Sequence, residues 1–327
     1  MDDSDHNRPT GQLAARDRVR YFARKLQRHP GYLATSRVWR TVRKLPFNGW
    51  RIATHRYREL PSMVIVGAQK AGTTQLYEGL IRHPACFGAA KKELNYFSDS
   101  PRRSLSWYRS RFPMTKVVRR ADGICIEASP SYLPSPSALR QMHDVLPDVK
   151  IVAILRDPVS RAFSHYQHSK TRRRDSRSFA VAVREILDCG TLPATLGAAP
   201  AVDATAGLDY VSRGYYALQI EALWRVFPRE QTLILDSANL FDDTNAVCQR
   251  VFEFVGLDRC DVSMKKVYNR GYYRETIDPS IAAELRDHYR PYDQLLADLT
   301  GQSFRWMETR CAASSTQPKA ETADRAA

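Results

Sequence analysis

The sequence contains no apolar run approaching the roughly 18–20 residues that a membrane-spanning helix needs, so none is expected in its 327 residues. It opens Met1-Asp2-Asp3-Ser4-Asp5, acidic where a secretory leader is basic, and no apolar core follows. From these absences we expect a soluble, cytoplasmic protein. Cysteine is sparse. Cys86, Cys125, Cys189, Cys248, Cys260 and Cys311 stand far apart with no Cys-x-x-Cys pair. That excludes the ligand spacing of a structural zinc site, and nothing demands an oxidising compartment. Cys125 lies in an apolar run and Cys248 on a helical face, so both are expected as small core residues. There is no internal repeat, which sets aside solenoid arrays.

Acidic side chains are also in deficit: 35 Asp and Glu stand against 50 Lys and Arg, a formal charge of +15. The excess is uneven. Residues 1–60 hold 14 basic and 5 acidic side chains, a net +9, which leaves +6 for the rest. That remainder still favours anionic ligands. Residues 1–15 are polar and expected to be disordered. Residues 16–60 interleave Arg and Lys with Tyr21, Phe22, Tyr32, Trp39, Phe47, Trp50 and Tyr57, and Pro30 and Pro46 break any long helix. This basic helical extension has two readings: helices docked on the main domain with a solvated basic face, or a peripheral membrane contact. No nucleic-acid partner is expected. Residues 61–308 form one domain, and 309–327 a disordered tail.

The stretch that organises the domain is Met63-Val64-Ile65-Val66-Gly67-Ala68-Gln69-Lys70-Ala71-Gly72-Thr73-Thr74-Gln75-Leu76-Tyr77. Four apolar residues suit a buried strand. A turn with Gly67 and Gly72 follows, and then Leu76/Leu80 and Tyr77/Ile81 repeat at helical spacing. Strand, glycine turn and helix together aim backbone N–H groups at one spot, an anion site. The Walker pattern of Gly-Lys-Ser/Thr is absent, because Gly72 precedes Thr73 and the lysine sits earlier, at Lys70.

Further strands are expected at Ile124–Glu127, Lys150–Leu155 and Thr232–Leu235, with helices from Val159 to about Lys170, Tyr215 to Phe227, Asn245 to Val255 and Pro279 to Leu299. On the third of these helices Val247, Val251, Phe254 and Val255 are expected to share one side. Asp157 and Pro158 suit a helix start. Arg156, at a strand's carboxyl end, and Ser164, two turns into the next helix, are candidates for a second phosphate site. The alternative is an Arg156–Asp157 pair tying loops together. Residues 188–207 read as a flexible loop. Alternating strands and helices predict an α/β fold: a P-loop-like open parallel sheet flanked by helices.

These motifs, taken in order, resemble the sulfotransferases that use 3′-phosphoadenosine-5′-phosphosulfate (PAPS). The similarity is to the branch of heparan sulfate glucosaminyl 3-O-sulfotransferases and their bacterial relatives. It spans about residues 62–306 and rests on Gly67-Ala68-Gln69-Lys70-Ala71-Gly72-Thr73-Thr74, Lys92-Glu93-Leu94-Asn95-Tyr96-Phe97, Glu127-Ala128-Ser129-Pro130-Ser131-Tyr132, Leu155-Arg156-Asp157-Pro158 with Arg161 and Ser164, and Phe304-Arg305-Trp306. The resemblance implies that Lys70, Ala71, Gly72, Thr73 and Thr74 hold the 5′-phosphosulfate, and that Arg156 and Ser164 hold the 3′-phosphate. It also implies Glu93 as catalytic base, Lys70 as stabiliser of the leaving phosphate, no metal, and a hydroxyl acceptor on a glycan or small molecule, less readily an amine. The chain departs from the heparan sulfate enzymes in carrying Ala128 where they have a lysine that meets the sugar. It also lacks their disulfide hairpin with Lys-Gly-Arg. Arg270, Gly271 or Arg274 would have to close over the nucleotide instead. Two other classes remain: a P-loop nucleotide kinase or NTPase, which needs ATP and magnesium, and a non-catalytic anion-binding module.

Overall fold

Five short stretches pair in parallel into one sheet: β1 (Met63–Gly67), β2 (Cys86–Gly88), β3 (Ile124–Ala128), β4 (Lys150–Leu155) and β5 (Thr232–Asp236), in the order β2-β3-β1-β4-β5. All five residues of β1 and five of the six in β4 are buried. Both faces of a parallel sheet are covered, so its inner strands read as continuous apolar runs instead of alternating ones. The computed structural model describes residues 49–98, 103–188, 209–262, 264 and 275–309. The chain divides into two compact units, Met1–His55 and Arg56–Ala327. Of the first, only residues 49–55 are described, mostly one helical turn. The expectations for residues 1–48, for most of the 188–207 loop, for Arg270, Gly271 and Arg274, and for the tail beyond 309 lie outside the described residues.

The helices of the second unit are α1 (Thr73–Leu80), α2 (Leu105–Arg109), α3 (Thr115–Arg120), α4 (Pro136–Val145), α5 (Pro158–Thr171), α6 (Phe179–Asp188), α7 (Tyr216–Trp224), α8 (Ser237–Asp242), α9 (Thr244–Val255) and α10 (Pro279–Thr300). Among the described residues no helix is long and apolar enough to cross a membrane. The sheet and its covering helices enclose the main core; a second cluster joins Phe163 and Tyr166 of α5 to Phe179, Tyr210, Leu285 and Tyr289. Buried Cys86, Cys125 and Cys248 lie in the main core, where burial pushes their thiols well above the usual range.

One expectation changes. The buried stripe of α9 is Val247, Cys248, Val251 and Phe252, while Phe254 and Val255 are only partly covered. The helix is rolled toward α1, where a Cβ on Gly79 would come within 2.7 Å of the Cys248 sulfur. Helix α4 was not anticipated. Its start follows ordinary rules, with Pro136 in the first turn and the Ser135 hydroxyl accepting the Ala138 N–H at 3.2 Å.

The strand order positions the site. From β1 the chain runs to β2, at the edge of the sheet beyond β3, and from β4 it runs to β5, at the opposite edge. The loops leaving β1 and β4 therefore diverge, and a crevice opens between their carboxyl ends.

Candidate active site

The loop after β1 is shaped by close approach. A Cβ on Gly67 would sit 2.7 Å from the Leu133 Cβ. The Ala68 N–H donates to the Ile154 carbonyl at 2.7 Å, tying the loop to β4, and the Ala71 N–H donates to Ala68 at 3.2 Å. Lys70 has φ 70° and Gly72 φ 102°, so the chain reverses twice before α1 begins at buried Thr73. Glycine takes such a φ without steric cost. The first turn of α1, with half-buried Thr74, presents N–H groups that have no acceptor within the helix.

Arg156, at the end of β4, donates from Nη1 to the Lys70 carbonyl at 3.0 Å. The two expected anion motifs thus share one wall. Asp157 takes another role: Oδ2 accepts the Ser160 N–H at 3.1 Å and caps α5. Along α5, Arg161, Ser164, His165 and His168 recur at three- and four-residue spacing on one side. Ser164 is buried there.

The electrostatics show which groups face one another. Burial pulls the Lys70 ammonium below its ordinary pKa; Arg156 and Arg172 add to this and Glu93 opposes it. His168 is lowered by burial and then by Lys70, Arg172 and Arg174, again against Glu93. His165 is pushed down to about 2 by burial, with Arg161, Arg213, Lys70 and His168 assisting. Arg213 donates to the Gln69 side chain at 3.3 Å and is lowered to about 10, by burial and then Arg161. Among the described residues these cations crowd one another, and the Glu93 carboxylate opposes them at Lys70 and His168. A group that supplies anionic oxygens would relieve the mutual repulsion of these cations.

That carboxylate, Glu93, lies beyond β2. Its N–H donates to the Ala128 carbonyl at 3.0 Å, which fixes it at the carboxyl end of β3. Its side chain is 53% exposed and pairs with Lys92 Nζ at 2.7 Å. Ala128 itself is fully buried. On the other flank, a cavity of about 380 Å³ is lined by Arg156, Ser237, Phe241, Arg286, Arg305 and Trp306, among others. Its wall is docked by the Arg305 N–H on Asp236 Oδ2 at 2.8 Å and by Phe304 stacked on Trp306.

The structure therefore brings Lys70, Arg156 and Glu93 to one crevice and sets Ser164 on the adjoining helix. Gln69, Arg213, His168 and Arg172 were not anticipated. Arg172 carried a signal, the basic run over 171–178, whereas Arg213 had none, since its role depends on α5 packing against its turn.

The fold and this crevice define an α/β protein whose first strand, glycine turn and helix open onto a cationic crevice. The chain matches the Sulfotransferase domain model over residues 60–283 and belongs to that family. It is 28% identical to heparan sulfate glucosamine 3-O-sulfotransferase 3B1 of Mus musculus over 272 residues, 76% of this chain and 65% of that protein. It is 29% identical to heparan sulfate glucosamine 3-O-sulfotransferase 6 of Homo sapiens over 274 residues, 76% of this chain and 74% of that protein. The chain thus spans just under two thirds of the mouse relative's length. The crystal structure of a sulfotransferase from Alicyclobacillus acidocaldarius superposes with a TM-score of 0.58 at 26% identity, covering 75% of this chain and 97% of that one.

Proposed function

We propose that the protein transfers a sulfuryl group from PAPS to a hydroxyl of a carbohydrate-bearing acceptor. The observation that carries this reading is the bond from Arg156 Nη1 to the Lys70 carbonyl at 3.0 Å, with Glu93 acting on the Lys70 ammonium, in a chain of the sulfotransferase family. The residues fit the donor. Loop amides, an ammonium and guanidinium groups are all cationic or donating, as a dianionic phosphosulfate and a 3′-phosphate require.

PAPS supplies the sulfuryl group and a leaving phosphate. Lys70 and the amides of Ala71, Gly72, Thr73 and Thr74 hold the phosphosulfate, and Arg156 with Ser164 holds the 3′-phosphate. Glu93 accepts the acceptor's hydroxyl proton as the oxygen–sulfur bond forms and the bond to the leaving phosphate breaks. Lys70 balances the charge that the leaving oxygen gains. The products are a sulfate ester, 3′-phosphoadenosine-5′-phosphate (PAP) and a proton on Glu93. A glycan hydroxyl is the acceptor that the two relatives' names suggest. Buried Ala128 offers no cation where the heparan sulfate enzymes carry lysine, so the acceptor need not be a heparin-like polyanion.

The test is transfer of label from radiolabelled PAPS to heparan sulfate, neutral glycans and a host metabolite extract, beside calorimetry with PAP and with ATP–Mg. Labelled product and selective PAP binding are expected. Tight ATP–Mg binding with none to PAP would instead make the protein a kinase or NTPase.

A further inference from the structure

Glu127 is the last charged residue of β3 and has no exposed surface. Among the described residues no cation pairs with it; hydroxyls surround it. Ser129 Oγ lies 2.7 Å and Tyr132 Oη 2.8 Å from Oε1, and Tyr108 Oη bonds Oε2. Two of these hydroxyls also meet the loop that bears Glu93. The Asn95 N–H donates to Ser129 Oγ at 3.1 Å, and the Tyr96 N–H donates to Tyr132 Oη at 2.8 Å. An amide can only donate, so each hydroxyl accepts from the loop and must send its own proton to the carboxylate. The carboxylate, an acceptor only, thereby fixes the direction of both bonds. The loop needs this support, because Glu93 and Asn95 sit at φ 62° and 49°, in the left-handed region that side chains other than glycine seldom adopt.

We propose that Glu127 is a positioning residue: through Ser129 and Tyr132 it holds the 93–97 loop so that Glu93 meets the acceptor hydroxyl. Burial raises the Glu127 pKa, and the three hydroxyl bonds oppose that rise by favouring the ionised form. Glu127→Gln does not isolate the relay, because its amide oxygen can still accept from Ser129 and Tyr132 while its nitrogen turns to Tyr108 Oη. Tyr132→Phe cuts the Tyr96 bond while keeping the ring, and is therefore the variant that tests it.

The proposal rests on Glu93 as the base, and its test separates the two. Release of PAP from PAPS is followed with heparan sulfate as the probe acceptor, a readout that counts transfer to sugar or to water alike. Tyr132→Phe is expected to slow release at least ~10-fold, within the ~10²-fold that misplacing a reacting group by about 1 Å costs. PAP affinity by calorimetry stays unchanged. Hydrogen exchange rises in the 93–98 peptide and not in β4, and adding Tyr132→Phe to Glu93→Gln causes no further loss. Wild-type release by Tyr132→Phe, or an equal loss on top of Glu93→Gln, overturns the relay. Wild-type release by Glu93→Gln removes the base assignment and the relay with it.

Discussion

At the scale of single residues, the proposed chemistry rests on the charges of Lys70 and Glu93. Lys70→Ala and Glu93→Gln should each lower turnover by at least ~10²-fold at saturating PAPS; near-normal rates in steady-state assays would remove both from the chemistry. Gly67 is constrained by space. A methyl there meets the Leu133 Cβ at 2.7 Å, and a Cβ is not the mobile end of a side chain, so the backbone must shift. Gly67→Ala should therefore cost about 1–3 kcal/mol, the usual range for overpacking, as read by urea unfolding.

At the scale of elements, α5 does two jobs. Its start is fixed by Asp157, whose side chain accepts the Ser160 N–H, with Pro158 in the first turn. That cap follows directly on Arg156, so the helix start and the strand end that bonds the Lys70 carbonyl are tied together. Asp157→Ala should lose about 1 kcal/mol of stability, as helix caps do, measurable as a lower denaturation midpoint with an unchanged slope. Serine at the same position, which restores a cap acceptor, should recover most of it.

At the scale of the molecule, two properties follow from what is buried. His165 is neutral in the folded protein, its pKa pushed down to about 2, whereas the unfolded imidazole titrates near 6.5. Below that pH the unfolded chain binds a proton that the folded one does not, so stability rises with pH up to about 6.5 and then levels. The loss should be about 1.4 kcal/mol per pH unit on the acid side, and His168 and His288, also lowered, act in the same direction. Urea unfolding at pH 7.5, 6 and 5 checks this, and His165→Gln should flatten the slope. The second property concerns the boundary between units. Arg58 is buried and donates to the Phe112 carbonyl at 2.8 Å, and the Glu59 N–H donates to Pro113 at 3.0 Å. Deleting residues 1–55 should leave PAP affinity unchanged by calorimetry, while extending the deletion through residue 60 should lower the melting temperature.

The sequence by itself determined β1, β3, β4 and β5, the loop between Gly67 and Thr73, the cap on α5 and the sulfotransferase resemblance. Each of these is local: a run of apolar residues, a glycine where φ must turn positive, an Asp before a Pro. Strand β2, with three residues, was too short to show a pattern, and α9 was rolled from its expected face by the close approach of α1 at Gly79. Only the tertiary structure decided that Arg156 bonds the Lys70 carbonyl, that Arg213 meets Gln69, and that Glu127 braces the loop of Glu93. These pairs lie 86, 144 and 34 residues apart along the chain. Hydrogen bonding and desolvation act over a few ångströms of space, and the order of strands in the sheet and the packing of helices on it set which distant segments come that close.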